Sequence, residues 1–332
     1  MEGDGRTREV LSMTLLLARS DVERLLAPDA CIDAVEGAFR QHALGKVSAP
    51  GLLGMHAADG GFHVKAGFLG AYFAAKINAN FPANVDLPTI QGAVLLFESG
   101  NGRPLAVIDS ISITARRTAA ASAVAAKYLA RAQCDTMLIC GCGAQAQSQA
   151  EAVLRVRSPR RLLAYDREHA RARAFAARFD CTPVEDLAEA MRSSDIVVTC
   201  TSANRYFVTR EMVRPGTFIA AVGADNEHKQ EIEPRLLAEA KVVTDLTEQV
   251  ARIGDLHHAI EAGALSTADV HAELGEVIAG RKPGRESADE IIVFDSTGTG
   301  LQDVAAAIAV YQHALAEERR RKGSLRTFAF HS

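Results

Sequence analysis

The chain contains no long apolar run, no strong charge imbalance and no paired cysteine motif. No stretch among its 332 residues approaches the length of a membrane-spanning helix. The net charge is −4 and the pI about 6.2, so the charge indicates neither a nucleic acid nor an anionic membrane as a partner. Apolar residues make up 48% and charged residues 23%, as in ordinary globular proteins, and the length suggests two domains.

The six cysteines, at positions 31, 134, 140, 142, 181 and 200, form no Cys-x-x-Cys pair and no set suited to a metal. We interpret them as reduced, mostly buried thiols of a cytoplasmic protein. The start MEGDGRTREVLS is polar and lacks the apolar segment of a signal peptide. Patterned sequence begins at Met13, so residues 1–12 are expected to be either a disordered extension or a misassigned start.

The stretch TMLICGCGAQAQ, which starts at Thr136, predicts a buried strand, a glycine turn and a helix in direct succession. Gly141, Gly143 and Ala146 fit the spacing G-x-G-x-x-A. The first glycine permits the tight turn, the second lets the backbone approach a pyrophosphate, and the small third residue lets the helix pack close to the strand. Free N–H groups at the start of the helix then favour phosphate. The pattern predicts a dinucleotide-binding unit.

The next predicted strand, Leu162–Tyr165, is followed directly by Asp166, where this kind of unit places the carboxylate that binds ribose. A carboxylate accepts hydrogen bonds from both ribose hydroxyls and repels a 2′-phosphate, so Asp166 favours NAD as the cofactor. Arg167 follows directly and could pair with that phosphate, so NADP remains possible. The alternative is an ordinary turn and an unrelated surface aspartate; the order of strand, glycines, helix, strand and acid favours the dinucleotide.

Local patterns along the chain indicate an α/β fold with two domains. Residues 19–45 predict two helices, and residues 48–98 predict short strands separated by turns. An alanine-rich helix then leads to the glycine turn, after which strands and helices alternate. We therefore predict a Rossmann dinucleotide-binding domain (126–300) inserted after an α+β domain (1–125). The C-terminal helix (301–332) is expected to return to the first domain.

Several motifs together resemble the ornithine cyclodeaminase/mu-crystallin family, over nearly the whole chain from Met13. They are KINANFPANVDLPTIQG, GRPLAVIDSISITARRTAAASAVAAKYLA, ICGCGAQAQ, AVGADNEHKQEI and FDSTGTGLQDVAAA. The resemblance implies an NAD(P)-dependent enzyme that interconverts amino acids with imines or keto acids, or that cyclises ornithine to proline with loss of ammonia. It also implies that the first domain binds substrate and that two such domains pair through their sheets in a homodimer.

By this resemblance Lys76 is the active-site lysine, Arg117 binds the substrate carboxylate, and Asp225 is the general acid/base. A lysine can pair with the carboxylate and polarise a developing imine, and a guanidinium binds a carboxylate with two hydrogen bonds. Asp225 follows the predicted strand Thr217–Val222, and the carboxyl ends of parallel strands line ligand sites. The alternative for Lys76 is a surface lysine on an edge strand, and the alternative for the arginines is a solvated or phosphate-facing residue, as Arg116 is taken to be. The alternative for Asp225 is an aspartate that only caps a helix.

The other residues predicted to bind cofactor lie in the glycine turn, in loops after predicted strands and at one position of the alanine-rich helix. Beyond Gly141, Gly143, Asp166 and Arg167 they are Thr118, Ala144, Gln145, Thr201, Ser202, Val222, Gly223 and Ser296. Asp303 is expected to have a structural role, as a negative charge in the first turn of the last helix.

The chain departs from the family in two places. Members often carry an arginine after a proline where this chain has SAPGLLGMH, and the region GGFHVKAG lacks the acid with which cyclodeaminases hold a distal amine. Instead His63 and Lys65 share one face of a predicted strand. If that face meets the substrate, His63 and Lys65 join Lys76 and Arg117 in a strongly cationic site. Such a site predicts a dicarboxylic substrate such as iminosuccinate. The alternative is that His63 and Lys65 face solvent.

Three functions are compatible with these residues. The favoured one is an NAD(P)H-dependent imine reductase or amino-acid dehydrogenase that interconverts a small 2-imino (2-oxo) acid with the L-amino acid. The second is a cyclodeaminase that converts L-ornithine to L-proline and ammonia. The third is a non-catalytic binding protein like mu-crystallin, against which the retained Lys76 and Asp225 argue.

Overall fold

A computed structural model describes residues 13–321 and 325–330, and the expectation for residues 1–12 lies outside these ranges. The strands are Thr14–Leu17 (β1), Gly51–Ala57 (β2), Gly60–Leu69 (β3), Tyr72–Asn80 (β4), Ile90–Glu98 (β5), Pro104–Asp109 (β6), Thr136–Cys140 (β7), Arg161–Tyr165 (β8), Thr182–Pro183 (β9), Ile196–Thr199 (β10), Asn204–Val208 (β11), Phe218–Ala221 (β12), Gln230–Ile232 (β13), Lys241–Thr244 (β14), Ala272–Glu273 (β15), Ile292–Asp295 (β16) and Arg326–Phe328 (β17).

The helices alternate with these strands, most regularly in the middle of the chain. They are Arg19–Leu25 (α1), Pro28–Ala43 (α2), Ser110–Leu129 (α3), Ala146–Val156 (α4), His169–Ala176 (α5), Leu187–Ser193 (α6), Pro234–Glu239 (α7), Thr247–Ile253 (α8), Asp255–Glu261 (α9), Leu274–Ile278 (α10) and Gly300–Arg321 (α11). Among the residues described, no helix combines the length and apolar character needed to cross a membrane.

The chain forms two compact units. The first comprises the described residues up to Arg117 and those from Thr299 onward, and the second comprises Thr118–Gly298. The first boundary therefore falls within helix α3, eight residues before the position expected from the sequence, because this helix runs unbroken from Ser110 to Leu129. A change of composition along the chain does not mark a boundary inside a continuous helix.

The first unit is built on a seven-stranded sheet in the order β17-β1-β6-β5-β4-β3-β2. Strands β2 to β6 are antiparallel neighbours, and β1 lies parallel to β6. Helix α11 packs on one face, where Gly300 meets the backbone of Ala66 so closely that a side chain at Gly300 would clash. The same helix is held to α1 by a hydrogen bond between His313 Nδ1 and the Leu25 carbonyl oxygen, 2.7 Å long.

The opposite face of this sheet is apolar and exposed. Its side chains alternate with those under α11, because successive residues of a strand point to opposite faces. The exposed fractions range from 41% at Ile77 to 59% at Met55. The members of this apolar sheet face that are most exposed are Leu53, Met55, Phe62, Phe68 and Ile77.

The second unit contains an eight-stranded sheet in the order β9-β8-β7-β10-β12-β16-β14-β15, and all neighbouring strands are parallel. Its central strands are fully buried, as the near-continuous apolar runs of their sequences predict. From β7 the chain builds outward to β8 and β9 on one side, and then to β10 on the other. The order therefore reverses between β7 and β10, and in open parallel sheets ligands bind beside such a reversal.

Candidate functional site

Lys76 lies in the interior of the first unit, on strand β4. Its side chain is only 3% exposed, and its Nζ atom lies 2.9 Å from Asp303 Oδ1 and 3.2 Å from Thr114 Oγ1. The alternative of a surface lysine is therefore wrong. Asp303 is provided by the first turn of α11 and Thr114 by α3, so two helices hold the ammonium group that β4 carries.

Arg117 binds the same carboxylate as Lys76. Its Nε atom lies 2.9 Å from Asp303 Oδ1, and its Nη1 atom donates to Gln302 Oε1 at 2.8 Å. Asp303 Oδ2 is buried and has no hydrogen-bond partner among the described residues. The sequence placed Asp303 correctly in the first turn of the last helix, but its role extends beyond a favourable helix charge, since it joins both predicted substrate-binding cations.

The neighbouring Arg116 has a different partner. It donates to the backbone carbonyl oxygens of Glu23, at 3.1 Å, and Leu26. These carbonyls lie at the end of α1, so the half-buried Arg116 anchors that helix, whereas Arg117 contacts Asp303.

Burial and charge set the ionisation of this cluster. Burial and the Arg117 cation lower the pKa of Lys76 to about 7, although Asp303 opposes the change. Burial raises the pKa of Asp303, but the charges of Lys76 and Arg117 outweigh it, so the net shift is downward. Asp303 is therefore ionised near neutral pH, while Lys76 can gain or lose its proton there.

Lys65 belongs to the same cluster. It lies directly opposite Lys76 in the register of β3 and β4, and it is only 9% exposed. Its charge acts on both Lys76 and Asp303. His63 lies two residues earlier on the same face of β3, half-buried and opposite Asn78. Lys65 thus faces the interior rather than solvent, and its charge acts on the carboxylate that Lys76 and Arg117 both contact.

The glycine turn of the second unit has the geometry that a pyrophosphate requires. Gly141 has φ +97°, a backbone conformation that glycine adopts readily, and a Cβ there would lie 2.8 Å from Thr201 Cγ2. Gly143 is exposed, and a Cβ added to it would meet nothing within 4 Å, so its backbone is open to a ligand. Ala146 begins helix α4 and is fully buried. The residues fit a dinucleotide.

Asp166 lies beside this turn. Its Oδ2 atom accepts a hydrogen bond from the backbone N–H of Cys142, between the two glycines, and its Oδ1 atom accepts one from Glu168; both are 2.9 Å long. The carboxylate is therefore fixed at the end of β8, where the ribose of a dinucleotide would lie. Arg167 is exposed.

Glu231 is a residue of this region that the sequence did not reveal. It is fully buried and its carboxylate accepts four hydrogen bonds. The donors to Oε1 are the N–H and hydroxyl of Thr201, both at 2.7 Å, and the donors to Oε2 are the Thr199 hydroxyl at 2.6 Å and the Gly223 N–H at 2.9 Å. One side chain thus ties together the loops that follow β10 and β12.

Asp225 follows β12 by four residues and is 52% exposed. Its Oδ1 atom pairs with Lys229 Nζ at 2.7 Å. The segment after it forms strand β13, and the next helix, α7, begins at Pro234 with Glu233 in the capping position. Asp225 is therefore not a helix cap, which removes the structural alternative raised from the sequence.

The other predicted cofactor residues occupy turns at the same edge of the parallel sheet or, for Thr118, helix α3. Ser296 follows β16, is 2% exposed and donates to Asp245 Oδ2 at 2.8 Å. Gln145 is half-buried, and its Oε1 atom has no partner among the described residues. Ala144 and Ser202 are exposed, Val222 is half-buried, and Thr118 is 8% exposed.

The fold and these residues define an α/β protein with a dinucleotide-type parallel sheet and a separate cationic cluster. Residues 12–318 match the ornithine cyclodeaminase/mu-crystallin family, and the chain belongs to that family. The predicted family and fold class are thus confirmed.

Three solved structures are particularly similar. A dimeric archaeal alanine dehydrogenase with bound NAD is 38% identical, with a TM-score of 0.91 over 96% of this chain and 99% of that one. The iminosuccinate reductase of Paracoccus denitrificans with NAD+ is 32% identical, with a TM-score of 0.87 and coverage of 95% and 99%. The Δ1-pyrroline-2-carboxylate reductase of Thermococcus litoralis with NADH and L-proline is 33% identical, with a TM-score of 0.86 and coverage of 92% and 98%.

Proposed function

We propose that this protein is an NAD(H)-dependent oxidoreductase that interconverts a small 2-imino acid with the corresponding L-amino acid. The observation that carries the proposal is the buried cluster in which Lys76 and Arg117 share the Asp303 carboxylate. Buried cations of this kind can bind the carboxylate common to all 2-imino acids. The similar alanine dehydrogenase, iminosuccinate reductase and pyrroline-carboxylate reductase support the reaction type and the cofactor.

The loops at the carboxyl edge of the second unit's sheet would hold the dinucleotide. Gly141 and Gly143 would face the pyrophosphate, and Asp166 would bind the ribose hydroxyls. The cofactor, when bound, supplies the hydride to the imine carbon or accepts it from the amino acid. We favour NAD because a carboxylate at Asp166 would repel a 2′-phosphate.

Side chains of the protein would bind the substrate carboxylate and transfer the proton to the substrate nitrogen. Arg117 and protonated Lys76 would bind the substrate carboxylate, and Lys76 would also polarise the carbon–nitrogen bond. When the imine carbon gains a hydride, the nitrogen needs a proton, which Asp225 would donate; in the reverse direction Asp225 would take it back. The exposed position of Asp225 permits exchange of that proton with solvent.

The third cation, Lys65, favours a dicarboxylic substrate. A substrate with one carboxylate adds one negative charge to a cluster of three cations and the Asp303 carboxylate, whereas a second carboxylate brings the sum closer to balance. Because unbalanced charge is costly in a buried site, we propose that the preferred substrate is iminosuccinate or a diacid of similar size.

The test is a comparison of NADH oxidation with oxaloacetate plus ammonia, pyruvate plus ammonia, and Δ1-pyrroline-2-carboxylate. We expect the highest kcat/KM for the diacid, and Lys65→Met should raise KM for the diacid far more than for pyruvate imine. Formation of proline and ammonia from ornithine without added NADH, together with no turnover of the diacid, would support the cyclodeaminase instead.

We also propose that the protein is a homodimer. The exposed apolar sheet face of the first unit is the surface available for pairing, and the similar archaeal alanine dehydrogenase is a dimer. All six cysteines are unpaired thiols, which fits the cytoplasmic location proposed from the sequence.

A further inference from the structure

Helix α9 carries a cluster of metal-binding side chains outside the regions described above. His257 Nε2 lies 3.4 Å from Glu261 Oε2, and His258 Nδ1 lies 3.9 Å from the same oxygen. One donor atom from each of the three residues falls within 4.8 Å of the other two. Two imidazole nitrogens and a carboxylate oxygen therefore lie close enough together on the second unit to be ligands of one ion.

A backbone carbonyl determines which nitrogen of His258 can bind a metal. His258 Nε2 lies 3.0 Å from the carbonyl oxygen of Lys229. A carbonyl oxygen only accepts hydrogen bonds, so Nε2 must carry the proton, and in the neutral ring Nδ1 then has a free electron pair directed at the cluster. Histidines that bind metals usually donate their other N–H group in this way, which fixes the ring and strengthens the ligand.

We propose that His257, His258 and Glu261 bind a divalent transition-metal ion such as Zn2+. Histidine nitrogens and carboxylate oxygens bind Zn2+ at about 2.0–2.2 Å, so neighbouring ligand atoms in a tetrahedral site lie roughly 3.3–3.6 Å apart. The contact at 3.4 Å already meets this spacing. Glu261 is 63% exposed and can move to close the contact at 3.9 Å, and water completes the coordination.

The cluster is connected to the segment that carries Asp225. Lys229, whose carbonyl oxygen accepts the His258 hydrogen bond, also pairs through its Nζ atom with Asp225. A metal ion on Nδ1 withdraws electrons from the imidazole, so the Nε2–H group becomes a stronger donor to Lys229. The ion should therefore hold residues 225–232 more firmly against α9.

The decisive measurement is a titration of reduced, full-length protein with Zn2+ in competition with a chromophoric chelator. We expect one equivalent to bind, with affinity at least tenfold weaker in His257→Ala, His258→Ala and Glu261→Gln. The matched control is His169→Ala, because His169 also contacts a glutamate, Glu185 at 3.3 Å, but belongs to no group of three potential metal ligands within residues 13–321 and 325–330. Its Zn2+ affinity should equal that of the wild type.

Two further measurements test the ligand set and the connection to Lys229. Co2+ should give a visible spectrum of nitrogen and oxygen coordination, and amide hydrogen exchange in residues 225–232 should slow with Zn2+ in the wild type but not in Glu261→Gln. The proposal would be overturned by no binding at millimolar Zn2+, by equal affinity in all variants, or by thiolate charge-transfer bands with Co2+. Unchanged exchange would refute the connection to Lys229. None of these readouts depends on the enzymatic reaction.

Discussion

The ammonium group of Lys76 lies 2.9 Å from the Asp303 carboxylate in the interior of the first unit. The same oxygen of Asp303 also accepts from Arg117, so one acid determines the position of both cations proposed to bind the substrate carboxylate. Asp303 also favours the protonated form of Lys76, against the effects of burial and Arg117.

This relationship predicts a pH dependence of substrate binding. The pKa of Lys76 is about 7, so Lys76 is protonated below that pH and neutral above it, and KM for the imino acid should rise as the pH increases through 7. Asp303→Asn removes the charge that raises this pKa, and the midpoint of the KM profile should move to lower pH. Glu317→Gln is the control, because this acid on the same helix pairs with Arg24 instead. A midpoint that stays in place or rises in Asp303→Asn would contradict the assignment.

Asp225→Asn should nearly abolish turnover and leave NADH affinity unchanged. The amide keeps the size of the side chain but cannot deliver the proton, and a general acid typically contributes about 10²–10⁴-fold to the rate. The measurements are kcat and the Kd for NADH by fluorescence titration. Asp269→Asn, another surface aspartate of the second unit, serves as the control. A rate close to that of the wild type in Asp225→Asn would show that another group transfers the proton.

Glu231→Gln should weaken NADH binding. A glutamine keeps one acceptor oxygen, so its NH2 group must face either the Thr201 N–H or the Gly223 N–H, and that backbone group loses its partner. An unpaired buried donor costs about 1–3 kcal/mol, which should lower the free energy of unfolding and loosen the loop concerned. Glu233→Gln is the matched control, because Glu233 accepts from the Arg210 N–H away from these loops. Equal Kd values for NADH in both variants would argue against a positioning role.

Asp166→Ala should reduce the preference for NADH over NADPH. The substitution removes the acceptor of the ribose hydroxyls and the charge that repels a 2′-phosphate, and loss of such a hydrogen bond costs about 1–3 kcal/mol. The measurement is kcat/KM with each cofactor at saturating substrate. If the wild type uses both equally and the ratio does not change in the variant, then Asp166 does not select the cofactor.

The double substitution Met55→Asp and Phe68→Asp should convert the proposed dimer into a monomer. Both side chains lie on the apolar sheet face. In a dimer, the two new carboxylates would be buried against apolar groups of the second subunit with no cation beside them. The molar mass in solution, measured by analytical ultracentrifugation, distinguishes the two states. Leu154→Asp, which changes an exposed apolar residue of the second unit, should leave the mass unchanged. A wild-type monomer would rule out the dimer directly.

Features encoded in short continuous stretches could be predicted from the sequence. The glycine turn, the strands around it and Asp166 follow from backbone requirements of a few adjacent residues, and the structure has β7, α4 and β8 in the predicted order. The burial of Lys76 was harder to predict, because a lysine between apolar residues can also lie on an edge strand. Its proposed role came from resemblance rather than from any local pattern.

Only the tertiary structure decided which partners Lys76, Arg117 and Thr201 have. Asp303 lies 227 positions from Lys76 and 186 from Arg117, and Glu231 lies 30 positions from Thr201. Local periodicity reports which face of an element is buried, but not which distant side chain meets it there. For the same reason the sequence placed Asp303 in the first turn of a helix, while only the packing of α11 on the sheet showed that this acid holds Lys76 and Arg117 together.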